Sequence, residues 1–539
     1  MHGFTHVLDF AVPVRFRHVI LLFGIVNSSL YSALLPLWEG FDEAFHYAYV
    51  ETLWQTKRLP VLGRTLIPDD VARSLRLAPV SHVVQRSLIE TTSYAVWLGL
   101  PQAEKERQRR ELEALRPEPV SGSRPNYQAH HPPLPYILLA PLDWSVSKAP
   151  ITVRVLALRL FGATLSMVLV WLGAVTLCRA VKMPERFANA TLFTVFCSQM
   201  LYATIAHVAN DGLATGLGAL FLAALARLIQ QPGWRYTWRS ALWLGAGLLT
   251  KAYFLAFVPL AVGVGAMLTW RRRVRAKMAL AGAMLVLALA GPWYLRNLVL
   301  YRNLSATHEE FDGIGIRQAL AAAPRIDWMA TAGFLARGSL WTGNNSFTTF
   351  SRTTLNIMLA LLLAAAAAWG LRVRVSQPAE RMLFGAIVLF SLAVAYASCA
   401  TFADTNGASA GARPWYTQVL LVPVWTLAYL GLSRWQRFGP VLAIGIAAIS
   451  AWVLIATWTV KLFPMYSGGG TAPMRMRDVW NWYLSNRAAH ATDLSLLALG
   501  SAPWLYAGLL VSFVLSILLS AIVIRDLIQP RFAEPVSPS

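Results

Sequence analysis

The chain has 539 residues, of which 56% are hydrophobic and only 14% charged, and its formal net charge is +21. Soluble proteins carry about 25% charged residues, so this composition excludes a soluble domain with a few apolar helices and predicts an all-α integral membrane protein. The basic residues gather in short clusters between apolar runs, as at 271–277, which is typical of cytoplasmic loops beside anionic lipid. We therefore expect a lipid bilayer and no nucleic acid as partner.

Three cysteines, Cys178, Cys197 and Cys399, lie in or beside apolar runs, and no CxxC pair occurs. Thiols in such places behave as small hydrophobic groups. The sequence therefore indicates neither a disulfide framework nor a zinc site.

Apolar runs of membrane-spanning length recur along the chain. A span needs about 20 mostly apolar residues. We predict about twelve spans: 18–36, 151–178, 187–207, 211–230, 240–251, 252–270, 278–298, 355–371, 382–402, 415–432, 438–460 and 503–525. The fifth and sixth are short, and one broken helix is the alternative. Basic residues flank both ends of that pair, which places both ends on the cytoplasmic side of the membrane. The chain must then cross an even number of times between them, so we predict two spans.

Twelve spans place both termini and every short basic loop in the cytoplasm. The chain then divides into a cytoplasmic N-terminus with the first span (1–36), a long extracytoplasmic loop (37–150), spans (151–300), a second extracytoplasmic loop (301–354), spans that include an extracytoplasmic loop at 461–502 (355–525), and a cytoplasmic tail (526–539). Within the first loop we predict a surface helix at 102–115 and an interfacial or re-entrant helix at 134–147. Loops this long are usually functional.

Asp42 and Glu43 follow the first span directly. Two adjacent carboxylates at a membrane interface are costly to desolvate and need a reason. They are either a charged helix cap or the source of a general base at the mouth of a lipid-accessible cleft. His46, four residues after Asp42, shares its face if the segment is helical.

Two further polar pairs follow in the chain. His130 and His131 precede a proline, so an extended backbone is expected, and their side chains point opposite ways rather than to one metal. They are substrate contacts or a polar lead into an interfacial helix. Asn210 and Asp211 form a tight turn that either only reverses the chain or also faces the cleft.

Three cations are predicted at the outer ends of spans, against the positive-inside trend: Lys251, Arg296 and Arg413. They are suited to binding a phosphate, and interface anchoring is the alternative for each. The segment 341–347, with Asn344 and Asn345, is a candidate lining for the acceptor side. Carboxylates are sparse, so we expect no metal or other cofactor, although a metal requirement stays open.

Six segments in order resemble the GT-C superfamily of polytopic membrane glycosyltransferases, specifically proteins related to protein mannosyltransferases and the aminoarabinose transferase of lipid A. The segments are 41–50 (FDEAFHYAYV), 127–136 (YQAHHPPLPY), 209–214 (ANDGLA), 248–251 (LLTK), 296–301 (RNLVLY) and 411–416 (GARPWY). Arg302 stands where the family often has glycine, and insertions interrupt the last motif.

This resemblance implies an inverting glycosyltransferase, transferring a hexosyl or pentosyl group, in the bacterial cytoplasmic (inner) membrane and facing the exterior. It would move the sugar from a polyprenyl phosphate, such as undecaprenyl phosphate, to a glycan, lipid or protein acceptor of the cell envelope. The resemblance makes Asp42 the base, with Glu43 second. It assigns donor phosphate binding to Lys251, Arg296 and Arg413, and substrate contacts to His46, Tyr127, His130, His131, Asn210, Asp211 and Tyr416.

Three alternatives remain open. One is a ligase that uses a lipid-diphosphate-linked oligosaccharide. Another is a lipid-linked glycan flippase or transporter, which would favour ionisable residues in mid-span and short loops. The third is a catalytically silent scaffold. The sequence leaves the sugar, the acceptor and the oligomeric state undetermined.

Overall fold

The structure is a computed structural model that describes residues 16–81, 91–120, 122–341, 350–411, 413–469, 476–485 and 487–529. These residues form helices and two isolated β-bridges, and no strand occurs among them. The first helix and the segment that follows it contain α1 (Phe16–Leu34), α2 (Glu43–Thr56), α3 (Asp69–Leu77), α4 (Tyr94–Leu98), α5 (Gln102–Ala114), a 3₁₀ turn (Tyr127–His130) and α6 (Leu134–Ser145).

The middle of the chain is a run of long helices. They are α7 (Ile151–Ala180), α8 (Glu185–Phe196), α9 (Gln199–Ile205), α10 (Asp211–Gln230), α11 (Trp234–Leu248), a 3₁₀ turn (Ala252–Phe257) that leads into α12 (Val258–Trp270), and α13 (Ala276–Tyr301).

The last part begins with short helices and continues with long ones. They are α14 (His308–Phe311), α15 (Ile316–Ala322), a 3₁₀ turn (Ala323–Arg325), α16 (Trp328–Leu340), α17 (Arg352–Gly370), a 3₁₀ turn (Val373–Val375), α18 (Pro378–Asp404), a 3₁₀ segment (Pro414–Leu420), α19 (Leu421–Ser433), α20 (Phe438–Ala456), π-helical turns (Thr457–Leu462 and Met465–Gly469), α21 (Met476–Leu484), α22 (Arg487–Leu497) and α23 (Ala502–Ile528).

Ten helices in the described part of the chain are long and apolar enough to cross a membrane, and each coincides with a predicted span. The other two predicted spans are shorter helices: 187–207 is broken between α8 and α9, and 240–251 corresponds to the 15-residue α11. The all-α membrane fold is therefore confirmed, and the count of about twelve is not. Lys251 has an extended backbone between α11 and the turn before α12, and this break is compatible with two spans and with one broken helix.

The helices α7 and α10 pack closely along small residues. A Cβ on Gly173 would lie 2.5 Å from Cβ of Ala219, and one on Gly216 would lie 2.6 Å from Cβ of Leu169. Gly212 and Gly216 form a GxxxG pair, a pattern that lets helix backbones approach closely in membranes. Close packing of this kind buries almost all of α10.

A buried charge cluster fastens the 37–150 segment to α7. The Arg154 guanidinium contacts Glu51 at 2.7 Å, Asp70 at 3.3 Å and Asp143 at 3.2 Å, and all four side chains are fully buried. Burial, and next the charge of Asp70, raises the pKa of Glu51 well above its usual range, which matches three carboxyl groups sharing one cation. The cluster fixes α2, α3 and α6 on the bundle and so positions the start of α2.

Candidate active site

Asp42 stands exposed at the N-terminus of α2. Its backbone is left-handed, with φ 54°, a conformation that aspartate and asparagine tolerate better than most residues. The Tyr127 hydroxyl donates to Oδ1 of Asp42 at 2.7 Å. The structure therefore leaves the Asp42 carboxylate exposed and holds it in place from the 3₁₀ turn.

The neighbouring Glu43 is placed differently. Its side chain is fully buried, and Arg159 donates to its two oxygens at 2.7 and 2.5 Å, while the Val208 N–H donates to Oε1 at 2.9 Å. Burial alone would raise the pKa of Glu43, but the charge and hydrogen bonds of Arg159, together with His207 and the Val208 N–H, outweigh burial and lower the pKa. Both oxygens accept hydrogen bonds from these donors, and the contacts anchor α2. The assignment of Glu43 as a second base stays a prediction.

Four histidine rings follow one another beside Asp42 and Tyr127. The ring centroids of His46 and His131 are 5.4 Å apart, those of His131 and His130 4.0 Å, and those of His130 and His308 4.5 Å. Nδ1 of His130 lies 2.8 Å from the carbonyl oxygen of Tyr127. The predicted substrate residues of α2 and of 127–131 are thus brought together, and His308 joins them from α14.

Burial disfavours the protonated form of three of these rings. Burial, and next the neighbouring His308, lowers the pKa of His130 to about 3. Burial likewise puts the pKa values of His46 and His131 well below their usual range, with further contributions from nearby rings and from Lys251. At neutral pH the imidazoles of His46, His130 and His131 are therefore uncharged and each offers one donor and one acceptor.

A pair of cations lies around Tyr416. The Lys251 ammonium is 2.5 Å from Oδ1 of Asp211 and 4.2 Å from the Tyr416 ring centroid. Nη1 of Arg413 donates to the Tyr416 hydroxyl at 3.3 Å. Lys251 is brought here by the break after α11, and Asp211 by the start of α10. The structure thus joins four residues that the sequence singled out separately.

Two contacts connect the cations with the acidic side of the site. Phe41, next to Asp42, stacks on Trp415 with ring centroids 4.4 Å apart and planes inclined by 13°. Nη2 of Arg413 lies 3.6 Å from Oε1 of Glu309, the residue after His308. The neighbouring Tyr416 first, and then Glu309 and Asp42, raise the pKa of Arg413 above its usual range. The acidic and cationic residues therefore face a common region.

Two predicted site residues have other surroundings. Nη2 of Arg296 donates to the Pro60 carbonyl at 2.7 Å, and its guanidinium lies over Trp293, so the contacts shown for it fasten 37–150 to α13. Asn210 is fully buried, and neither its amide oxygen nor its nitrogen has a hydrogen-bond partner among the described residues. Asn344 and Asn345 lie outside the described residues.

Several residues of this region were not singled out from the sequence. Arg159 is the clearest, since an arginine inside a predicted span is costly and marks a buried partner. His308 and Glu309 carried no comparable signal, because a single His or Glu in a polar loop is ordinary. No group of three His, Cys, Asp or Glu side chains that could hold a metal ion occurs in the part of the chain that the structure describes.

No family model and no curated protein matches the sequence. Among solved structures, ArnT from Cupriavidus metallidurans bound to undecaprenyl phosphate is similar at 13% identity over 94% of this chain and 77% of that one, with a TM-score of 0.47. The oligosaccharyltransferase of Archaeoglobus fulgidus is similar at 13% identity over 90% of this chain and 60% of that one, with a TM-score of 0.37. At this identity the likeness concerns the fold.

Proposed function

We propose that this chain is an inverting glycosyltransferase that moves a sugar from a polyprenyl phosphate to an acceptor hydroxyl, with Asp42 as general base. The observation that carries the proposal is the pairing of an exposed carboxylate with two cations in one region. Tyr127 holds the carboxylate, and Lys251 and Arg413 meet at Tyr416. Charge of both signs at one membrane-level site suits a reaction in which a phosphate leaves and a proton is removed.

The acidic side supplies the base. The acceptor O–H gives its proton to the oxygen of Asp42 that Tyr127 does not hold. The acceptor oxygen then forms a bond to the anomeric carbon while the bond from that carbon to the phosphate oxygen breaks. The bonding pair leaves with the polyprenyl phosphate, so a single displacement inverts the anomeric configuration.

The cationic side stabilises the leaving group. Arg413 offers a planar fork for phosphate oxygens and Lys251 a compact charge. The Asp211 carboxylate orients the ammonium of Lys251. The neutral imidazole of His130 adds hydrogen-bonding groups without added charge.

The isoprenoid chain of the donor needs an apolar path to these cations. A cavity of about 390 Å³ lies between α16, α17, α18 and α19 and is lined by Leu335, Leu362, Phe390, Val424 and Trp425. It also reaches Gln418, two residues beyond Tyr416. We assign the chain of the donor lipid to this cavity, because a carrier lipid must enter sideways from the bilayer.

The site is proposed to face the exterior of a bacterial inner membrane. The support is the gathering of short basic loops on the other side of the predicted topology. The acceptor belongs to the glycan, lipid or protein components of the envelope.

The test is sugar transfer by the purified protein from a panel of polyprenyl-monophosphate and polyprenyl-diphosphate sugars. We expect turnover with a monophosphate donor and a loss of about two to four orders of magnitude in Asp42→Asn, which keeps the shape and tolerates the left-handed backbone. The matched control is Asp312→Asn, which removes another exposed carboxylate and should leave turnover unchanged. Turnover with diphosphate donors alone would replace this proposal by the ligase, and full activity of Asp42→Asn would remove Asp42 from the mechanism.

A further inference from the structure

A second groove lies at the other end of α2, between that end and α6. Its volume is about 480 Å³, and its lining includes Trp54, Lys57, Arg58, Ile137, Pro141 and Trp144. The helix α2 has 14 residues, so this groove is about 20 Å along the helix from Asp42. It is therefore separate from the candidate active site.

The rim of the groove is positively charged. Lys57 and Arg58 are exposed, and neither has an ion-pair partner within the described ranges. Lys57 follows the last turn of α2 with φ 56°, a position where helices favour glycine or asparagine.

The floor of the groove is apolar and belongs to a membrane-interface helix. Ile137 is 50% exposed and Trp144 61%, and the apolar helix α7 begins at Ile151, only a few residues further on. Tryptophan at the start of a span lies at headgroup level. Trp54 is held rigidly, because its indole N–H donates to Oδ2 of Asp143 at 2.7 Å.

We propose that this groove binds a phospholipid of the bilayer with an anionic headgroup. The phosphate contacts Lys57 and Arg58 on the rim, and an acyl chain lies along Ile137 and Trp144. The choice of occupant follows from charge complementarity and from the position of α6 directly before a membrane span. The site does not depend on the glycosyl transfer proposed above.

The experiment is native mass spectrometry of the purified full-length protein titrated with phosphatidylglycerol or phosphatidylcholine of identical acyl chains. We expect the wild type to bind one molecule of phosphatidylglycerol more tightly than any further molecule of that lipid. We expect no such tight site for phosphatidylcholine. The Lys57→Gln/Arg58→Gln variant should lose affinity for this lipid by roughly tenfold or more, since each basic residue near an anionic headgroup contributes about fivefold.

The matched control is Arg64→Gln/Arg317→Gln, which removes two exposed arginines outside the groove. It has the same change in net charge and should keep the tight site. Trp144→Ala tests the floor and should weaken the same lipid without changing the headgroup preference. Equal affinities for the two lipids, or equal losses in the groove variant and the control, would overturn the proposal.

Discussion

The buried ion pair of Glu43 and Arg159 allows a structural role of Glu43, the anchoring of α2, to be tested separately from a catalytic role. Removing one partner of a fully buried ion pair costs about 3–5 kcal/mol, because the other charge stays buried without its partner. Arg159 also donates to the carbonyl oxygens of Ser32, Leu35 and Pro36 at 2.7–3.0 Å. We therefore expect Arg159→Met to lose the full amount and Glu43→Gln about 3 kcal/mol, since the guanidinium keeps its three carbonyl acceptors.

The assay is chemical unfolding of the purified protein in detergent, followed by circular dichroism, for both single variants and the double variant. The double variant should be less destabilised than the sum of the singles, with a coupling of about 0.5–3 kcal/mol. Glu111→Gln is the control, because Glu111 forms an exposed pair with Arg107 at 3.5 Å, and it should cost at most about 0.5 kcal/mol. If Glu43→Gln keeps the wild-type free energy of unfolding and loses turnover as Asp42→Asn does, the anchoring role is refuted and Glu43 is the base.

Three further predictions concern single contacts of the site. Tyr127→Phe removes the hydrogen bond to Asp42 and should lower kcat about ten- to a hundredfold and shift the pH–rate profile, measured by transfer assays. Lys251→Gln should raise the KM for the donor about tenfold, and it should destabilise the fold because Asp211 loses its partner. The double variant Lys251→Gln/Asp211→Asn should recover the free energy of unfolding but keep the raised KM. The pKa of His130 is lowered to about 3 in the folded protein. Between about pH 6.5 and pH 3 only the unfolded chain binds this proton, so the free energy of unfolding should fall as the pH drops through that range. In unfolding titrations His130→Gln should lose less free energy of unfolding over the same range than the wild type.

The all-α membrane fold was predictable because hydropathy reports directly on spans. Ten of the predicted spans are long, predominantly apolar helices that hydropathy identifies without tertiary information. The two that differ, α8–α9 and α11, are short because the chain breaks at Cys197 and before Lys251. Such breaks depend on side-chain packing, which composition does not disclose.

The sequence singled out individual residues of the candidate site but not the contacts between them. Polar residues at the ends of apolar runs pointed to Asp42 and Lys251, because charges there are costly. The sequence could not show that Glu43 turns inward to Arg159, since adjacent carboxylates look alike until the helix direction is known. It likewise could not show that Phe41 stacks on Trp415, a contact across most of the chain length.

The most direct test of a single displacement by Asp42 is the anomeric configuration of the product, determined by nuclear magnetic resonance after transfer from a donor of known configuration. The proposed mechanism predicts inversion in every turnover by the wild type. Retention of configuration, with a sugar found covalently attached to the protein, would contradict it and would make a carboxylate of the site a nucleophile rather than a base.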